Sequence, residues 1–337
     1  MKVAAMETRL RTRRNVLLDG LSIPFFFVHR ALACDDPPRH YKSPCKAASV
    51  NYSIYMQVAQ KIEAFRKKEV TIDIGQMGLK RLITYLTDEQ VEQEIGIAHI
   101  SGNQAVEALL AGGKFKIIAT PLNDISLDLW AHPSVKNIKD LKGKKIALAQ
   151  PGYGHFIALE SFLKGVDIND SDITISPFPR PNEWLAAMVQ ARSFDASFIP
   201  PAGETTISTG GLTKLGSFKI RFARDLFIVP SMIFEDDRNK NFLVKFIKSI
   251  DESILFMQEN KDATINFISR SREITLDNAE ILYATYAPSS VRQSSTEGFK
   301  AVVQDFRLGT TDKRRQDELA KIKFEDIITQ EIVKRLS

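Results

Sequence analysis

The feature that most constrains the fold is a short apolar strand that ends in a glycine loop and leads directly into a helix. The strand is Lys145–Ala149, the loop is Pro151–Gly154, and His155–Leu163 carries apolar residues at helical spacing. Free backbone N–H groups collect at the start of a helix that follows such a loop, and they attract anions. The sequence therefore predicts an anion-binding loop at Gly152–His155, with a simple connection between two elements as the alternative.

Strands and helices alternate along most of the chain. Short apolar or β-branched runs predict further strands at Val70–Ile74, Glu94–Ile100, Phe115–Ala119, Ser126–Trp130, Ile173–Ser176, Asp195–Ile199 and Phe227–Phe234. Periodic stretches predict helices between and after them, among them Tyr52–Phe65, Leu79–Leu86, Asn182–Gln190, Asn239–Glu259 and several more up to Leu336. This order favours parallel βαβ units and an α/β sheet.

The composition is typical of a soluble globular protein. The chain has 337 residues, of which 44% are hydrophobic and 26% are charged, enough for a sizeable core. The net charge of +5 is spread over short basic runs such as Arg66–Lys68 and Lys313–Arg315, which acidic residues flank. Since a nucleic-acid-binding surface concentrates its charge on one face, we expect no nucleic acid partner.

Residues 1–33 have the pattern of an export signal. A basic start precedes the short apolar core Leu21–Val28, and Ala31–Ala33 supplies small residues for cleavage before Cys34. Thr12–Leu17 also resembles a twin-arginine signal, which leaves the twin-arginine and the general export routes open. We expect a periplasmic or extracytoplasmic location, with lipid attachment at Cys34 as an option. A disordered or mis-started N-terminus is the alternative interpretation of residues 1–33.

The remaining candidates for chemistry are few. Cys34 and Cys45 flank a linker over residues 34–45, and a disulfide between them is permitted in an oxidising compartment. Two thiols and scattered histidines do not form a zinc site, so we expect no metal and no cofactor. His99, inside a predicted strand, is interpreted as a core histidine. Nucleotide-binding, hydrolase and metalloprotease motifs are absent from the sequence, and we expect a protein that is not an enzyme.

The order of several segments resembles a known family. This order is similar to that in the ABC-transporter solute-binding proteins of the nitrate/sulfonate/taurine type. The segments that carry the likeness are Val135–Ala147, the glycine loop with its helix, and Trp184–Met188 followed by Phe194–Ala196. The likeness extends from about Ile54 to the C-terminus, and Asp140–Lys144 is its most specific part.

The resemblance implies an α/β, two-lobed type II periplasmic-binding-protein fold with a hinge and an interlobe cleft. Lobe 1 is expected at residues 46–127 and 225–337, and lobe 2 at residues 128–224. The resemblance also implies a monomer that binds a small anionic or polar organic solute and delivers it to a membrane permease. The chain departs from the family ahead of Tyr52–Phe65, where Lys46–Asn51 offers at best a stunted first strand.

Polar loops at the ends of strands are expected to face one another across the cleft. The predicted ligand-binding residues are Ser101, Gly102, Asn103, Asn123, Gly152, Tyr153, Gly154, His155 and Arg180. For His155, ligand contact and helix capping remain equally open. For Arg180, between two prolines, a cleft position and a solvated loop position both remain open.

Two other functions are weighed against solute binding. A pyrimidine-forming enzyme of thiamine biosynthesis shares this fold, but its family carries a motif with cysteine and histidine, and this chain has no cysteine after Cys45. A regulatory effector-binding domain would carry a DNA-binding helix-turn-helix, which residues 1–50 do not supply.

Overall fold

The computed structural model describes residues 45–49, 53–88, 96–166, 168–178, 186, 189–201, 210–291 and 296–336. The predicted export signal, most of the linker and Arg180 lie outside the described residues. Of the segment Trp184–Met188, Ala186 alone is described.

The strands form one mixed sheet. Over the described part of the chain they are β1 (Cys45–Ser49), β2 (Ile72–Gln76), β3 (Ile97–Ser101), β4 (Phe115–Ala131), β5 (Lys145–Ala149), β6 (Thr174–Phe178), β7 (Ala196–Ile199) and β8 (Thr213–Pro230). Their spatial order is β2-β1-β3-β8-β4-β7-β5-β6. Strand β1 pairs in parallel with β2 and β3, and β5 pairs in parallel with β6 and β7. Strands β4 and β8 pair antiparallel with each other and with their outer neighbours β7 and β3.

Helices cover the sheet. They are α1 (Ile54–Lys61), α2 (Ala64–Lys67), α3 (Leu79–Thr87), α4 (Gly102–Leu110), α5 (His155–Lys164), α6 (Ser231–Glu235), α7 (Asp237–Glu259), α8 (Lys261–Arg272), α9 (Leu276–Tyr286), α10 (Thr296–Gly309), α11 (Lys313–Ala320), α12 (Phe324–Ile327) and α13 (Glu331–Lys334). Two 3₁₀ helices, Ile138–Leu141 and Asp170–Asp172, flank β5 in sequence.

The long helix α7 shows how the sequence determines these elements. It begins at Asp237 because the side chain of Asp236 accepts the backbone N–H of Arg238, which satisfies a donor at the helix start. Its buried residues recur at helical spacing and face α1 and α2. Phe246 of this helix packs against Phe65 of α2 and Phe227 of β8, with ring centroids 5.5 Å apart in both pairs.

The sheet has separate hydrophobic cores in its two halves. In the half with β1, β2 and β3, α1 and α7 cover one core, and α4 and α10 cover another. In the half with β5, β6 and β7, α5 packs on the strands through Phe156, Leu159 and Phe162. Strands β4 and β8 contribute residues to both halves and run between them.

The middle of β4 and β8 is irregular. Their pairing is regular from Asp124 to Leu129, but it shifts register repeatedly between Ile117 and Asp124. Asp124 lies there beside Arg221, whose Nε is 3.3 Å from its Oδ1 atom. Each shift interrupts the ladder of hydrogen bonds and bends the strand locally. The two halves of the sheet are thus joined by strands that are disrupted at the junction.

The structure corrects three details of the sequence analysis. The first strand is present as β1, which is short because it spans Cys45–Ser49, yet it pairs on both sides. The predicted strands Phe115–Ala119 and Ser126–Trp130 are one strand, since the polar residues between them stay in the ladder. The strand predicted at Phe227–Phe234 ends at Pro230, after which Ser231 begins α6.

The lobe boundaries at residues 127, 128, 224 and 225 remain predictions. No helix among the described residues is both long and apolar enough to span a membrane.

Candidate functional site

The start of α5 is built by two glycines in the left-handed region of the backbone. Gly152 has φ of +95° and Gly154 has φ of +82°, conformations that glycine adopts without the steric cost other residues meet. These angles turn the chain from the end of β5 into the first turn of α5. The turn directs several backbone N–H groups toward a single point, as the sequence analysis predicted.

A carboxylate of the same chain lies at that point. Asp305 of α10 accepts four backbone N–H groups, two on each oxygen. Its Oδ2 atom is 2.8 Å from the nitrogen of Gly152 and 3.1 Å from that of Gly154. Its Oδ1 atom is 2.9 Å from the nitrogen of Phe156 and 3.0 Å from that of Ile157. The helix start is an anion site, and Asp305 fills it.

Asp305 is completely buried at this site. Burial raises the pKa of its carboxyl above the ordinary value, while the four N–H donors act in the opposite direction. The end of α10 packs tightly on the loop: a Cβ placed on Gly309 would lie 2.5 Å from Pro151 and 2.7 Å from a ring atom of Phe156. Access to the site from solvent is therefore closed by α10.

The structure brings together two of the predicted ligand-binding loops. A Cβ placed on Gly152 would lie 2.6 Å from the Cβ of Asn103, which is in the first turn of α4. The same Cβ would lie 2.6 Å from a ring atom of Phe306. The starts of α4 and α5 thus meet in direct contact, with α10 packed against both.

The start of α4 is held by local hydrogen bonds. The backbone N–H of Ser101 donates to the side chain of Gln104 over 2.9 Å, and the hydroxyl of Ser101 bonds to Asn103. Gly102 lies against β8, since a Cβ there would be 2.1 Å from the carbonyl oxygen of Ala223. Gly102 is a glycine because the backbone of the neighbouring strand leaves no room for a side chain.

Within the α5 loop the predicted residues have different surroundings. His155 is fully buried, and its Nδ1 atom accepts the backbone N–H of Ala149 over 3.1 Å. This hydrogen bond ties the start of α5 to the end of β5. Gly152 and Gly154 are also buried, whereas Tyr153 is 43% exposed. The loop, expected at the cleft surface, packs against α10 at Gly152 and against β4 and β8 at Gly154.

Asn123 lies in the irregular part of β4. Its side chain is buried and donates to the carbonyl oxygen of Thr120 over 2.7 Å, which stabilises the bend. Arg180, the last of the predicted ligand-binding residues, is outside the described residues.

A buried polar cluster that sequence reasoning missed lies at the carboxyl end of β1. We call it the His99 cluster; its members are Ser49, Tyr55, His99, Asp225 and Ser289, and all are buried. Tyr55 connects it, since its hydroxyl is 2.8 Å from the hydroxyl of Ser289 and 3.4 Å from Asp225. His99 lies between Ser49, whose hydroxyl is 3.4 Å from Nδ1, and Asp225, whose Oδ1 is 3.9 Å from Nε2.

The electrostatics of the His99 cluster are dominated by burial. Burial lowers the pKa of His99, and the neighbouring Asp225 opposes this change only in part. Burial, together with the Asp225 charge, raises the pKa of Tyr55 well above 10. The Nε2 atom of His99 makes no hydrogen bond to any described residue. At neutral pH, His99 and Tyr55 are therefore uncharged hydrogen-bonding groups within the cluster.

His99 lies within β3, as predicted, and it is buried. The prediction could not connect it to Asp225, because the two residues are brought together by pairing of β3 with β8. Among the described residues, no three His, Cys, Asp or Glu side chains are grouped closely enough to hold a metal ion.

Comparison with known proteins identifies the fold. The aliphatic sulphonate binding protein SsuA of Escherichia coli matches with a TM-score of 0.62 at 17% identity, over 87% of this chain and 100% of that chain. The alkanesulfonate-binding protein SsuA of Xanthomonas axonopodis pv. citri matches at 0.55 and 15%, over 80% and 92% of the two chains. The nitrate-binding protein NrtA of Synechocystis PCC 6803 matches at 0.51 and 10%, over 87% of each chain. The chain has the periplasmic binding protein fold.

The two-lobed α/β fold predicted from the sequence is therefore confirmed. The resemblance to solute-binding proteins of the sulfonate and nitrate type is confirmed as a likeness of structure at low sequence identity. No protein-family model matches the sequence, and no curated protein matches it. The solved neighbours named here are binding proteins and not enzymes.

Proposed function

We propose that this protein is the extracytoplasmic solute-binding component of an ABC import system. It binds a small polar organic or anionic solute between lobe 1 (residues 46–127 and 225–337) and lobe 2 (residues 128–224), and presents it to a membrane permease. It acts as a monomer and carries out no chemistry on the solute. The export signal at residues 1–33 belongs to the same proposal, with Cys34 as the first mature residue.

The observation that carries this proposal is the pair of strands that connects the two halves of the sheet. Each half has its own hydrophobic cores, and β4 and β8 are irregular where they pass between them. In the proposed motion the two packed halves hinge about these short disrupted segments, while the contact of Asp305 with the start of α5 is kept. A solute that contacts both halves binds the closed form more tightly and so shifts the population toward it.

The His99 cluster supports a solute site on the lobe 1 side of the hinge. In α/β folds, ligands bind beyond the carboxyl ends of parallel strands, and β1 ends at Ser49 in this cluster. Asp225 pairs with Ser101, so it lies next to the predicted loop at the start of α4. The hydrogen bond from the hydroxyl of Tyr55 to Asp225 is long, at 3.4 Å. Because buried polar groups are normally well hydrogen-bonded, the side chain of Asp225 can accept a further hydrogen bond from a ligand.

The test is a search for the solute followed by a measurement of closure. Protein purified from its native host is denatured, and the released small molecules are identified by mass spectrometry. Calorimetry with each candidate then gives the affinity, and small-angle X-ray scattering gives the radius of gyration with and without it. We expect saturable binding and a smaller radius of gyration in the bound form.

The panel includes alkanesulfonates, taurine, nitrate, aromatic acids and pyrimidine precursors. Binding without any change in the radius of gyration would contradict the hinge mechanism. Conversion of a candidate into a product during the incubation would contradict the binding function and support an enzyme. Absence of binding across the panel and the extract would contradict the proposal as a whole.

A further inference from the structure

Asp305 has a position that bears on which solutes the protein accepts. It comes from α10, whose neighbouring residues Phe299, Val302 and Phe306 belong to the core of the β1–β3 half. The helix it caps, α5, belongs to the core of the other half. The carboxylate therefore spans the two packed bodies, at a helix start where an acidic ligand group would bind.

We propose that Asp305 is a specificity-determining residue that occupies the anion site of α5, so that solutes are recognised without an anionic group at this helix. The inference rests on the proposed function, because it concerns the solute of the same protein. Of the anionic and polar organic solutes that the proposed function allows, it selects the polar organic class, or solutes whose charge lies elsewhere.

Asp305 already occupies the N–H donors at the start of α5. The N–H groups of Gly152, Gly154, Phe156 and Ile157 all donate to Asp305, and both carboxylate oxygens accept two of them. A sulfonate or carboxylate from a solute would have to break these four hydrogen bonds. It would also leave a fully buried carboxylate next to a second negative charge, which is unfavourable in an interior of low polarity.

Close packing of α10 also excludes a solute group from the start of α5. Gly309 allows the end of α10 to lie directly on Pro151 and Phe156, and Gly152 allows Phe306 and Asn103 to lie directly on the loop. The contacts leave no room for a solute group between α10 and the start of α5. Displacing Asp305 would thus require α10 to move out of a core that holds Phe299, Val302 and Phe306.

The test is rescue of an Asp305→Ala variant by small anions. Removing the carboxylate leaves four unsatisfied donors and a space the size of a carboxylate group. Formate, which has the size of the missing carboxylate, is added as its sodium salt and is expected to raise the melting temperature of Asp305→Ala by several degrees in a saturable way. Sodium chloride at equal ionic strength serves as the reference.

Two variants serve as controls. Asp305→Asn keeps the space filled but directs an amide toward the N–H donors, so we expect it to be destabilised and not rescued. Asp312→Ala removes another aspartate that caps a helix, since Asp312 accepts the N–H groups of Arg314 and Arg315 at the exposed start of α11. We expect no specific rescue there, because water replaces the lost carboxylate.

Equal responses of Asp305→Ala, Asp312→Ala and the wild type to formate would overturn the inference. If Asp305→Ala does not fold, hydrogen exchange on the wild type decides. The amides of Gly152, Gly154, Phe156 and Ile157 should be protected without any ligand, and formate should not change their protection. Protection that appears only after formate is added would equally refute the inference.

These experiments use no solute, so their outcome is separate from the outcome for the proposed function. Rescue in a protein that binds none of the candidate solutes would leave Asp305 as the internal anion and refute the transport function alone. Failure of rescue in a protein that binds a solute and closes on it would refute this inference alone.

Discussion

The backbone nitrogen of Phe156 lies 2.9 Å from the Oδ1 atom of Asp305, a residue 149 positions further along the chain. This hydrogen bond and its three neighbours fill a helix start that, from its own sequence, has the properties of a ligand site. The local structure of the loop is the one predicted from the sequence. The anion that it binds is a carboxylate from the distant helix α10. The glycines, the helix and the carboxylate consequently depend on one another for stability.

Gly152→Ala is expected to destabilise the protein by about 2–5 kcal/mol, which combines left-handed backbone strain with overpacking. The new Cβ would lie 2.6 Å from the Cβ of Asn103, an atom that cannot move without the backbone of α4. Urea unfolding of the purified variant measures the change.

Gly112→Ala is the matched control for this substitution. Gly112 has a similar φ of +89°, but a Cβ there would meet no atom within 4 Å. We expect it to cost about 1–2 kcal/mol, the strain alone. Equal losses in the two variants would show that the contact of Gly152 with Asn103 has no energetic importance.

Asp225→Asn is expected to weaken solute binding at least about tenfold, since a hydrogen bond to a charged group contributes roughly 1.5–3 kcal/mol. The substitution keeps the shape of the side chain and removes the carboxylate of the His99 cluster. Calorimetry with the solute identified from the native host measures the affinity.

Asp128→Asn provides a comparison for Asp225→Asn within the same sheet. Asp128 is also a buried aspartate, and it bonds to Ser217 over 2.7 Å and to Lys214 over 2.8 Å in the β5–β7 half. We expect lower stability with unchanged affinity. A drop in affinity of the same size in both variants would mean that the His99 cluster is not the solute site.

Acid is expected to destabilise the wild type partly through His99. Burial holds its pKa in the folded state below 6.5, so below about pH 6.5 the unfolded chain binds a proton that the folded chain does not bind. The free energy of unfolding then decreases with falling pH, by at most about 1.4 kcal/mol per pH unit for this group. Urea unfolding at several pH values measures the slope.

His99→Gln removes this titrating group from the same position. We expect a shallower dependence of the free energy of unfolding on pH in the variant than in the wild type. Superimposable slopes would indicate that His99 is protonated to the same extent in the folded and unfolded chains.

Asp140→Ala is expected to lower the free energy of unfolding by about 0.5–2 kcal/mol and to leave solute affinity unchanged. Asp140 accepts the backbone N–H groups of Lys136 and Asn137 over 2.9 Å and 3.1 Å, which closes the turn before the 3₁₀ helix. Lower affinity with unchanged stability would instead assign this turn a direct role in binding.

The local structure around β5 could be predicted from the sequence because each of its causes is local. The strand Lys145–Ala149 has the predicted bounds, and α5 begins at the predicted His155. Leu141, in the most specific part of the family resemblance, is fully buried. The backbone nitrogen of Gly143 donates to the carbonyl oxygen of Asp172 over 2.6 Å. The residues that carry the family resemblance in this region therefore have structural roles, in core packing and in turns.

The occupant of the α5 site could have been suspected but not predicted. Asp305 follows Val302 by three positions and precedes Gly309 by four, so an acidic residue stands on the apolar face of a helix. Such a residue needs a partner once buried. Which of several helix starts supplies the partner depends on how α10 crosses the sheet, and no local pattern contains that information.

The His99 cluster was missed for a related reason. Its five members come from five separate segments of the chain: Ser49, Tyr55, His99, Asp225 and Ser289. The pairing of β3 with β8, which brings His99 close to Asp225, was not predicted. The first strand was underestimated because five residues carry little periodic signal. Its stability comes from ladders with β2 and β3 on both sides.

The position of β8 has a consequence for the order in which the chain assembles. Strands β3 and β4 follow each other in sequence, yet β8 lies between them. During synthesis, the edge of β3 that later pairs with β8 stays unpaired until β4, β5, β6 and β7 have also been synthesised. Such distant pairing makes folding slow, because the loop must close before its contacts contribute. The half of the sheet that contains β1 is therefore completed late, when β8 pairs with β3. A nascent chain that stops before Thr213 would expose the edge of β3, which could pair with other chains and aggregate.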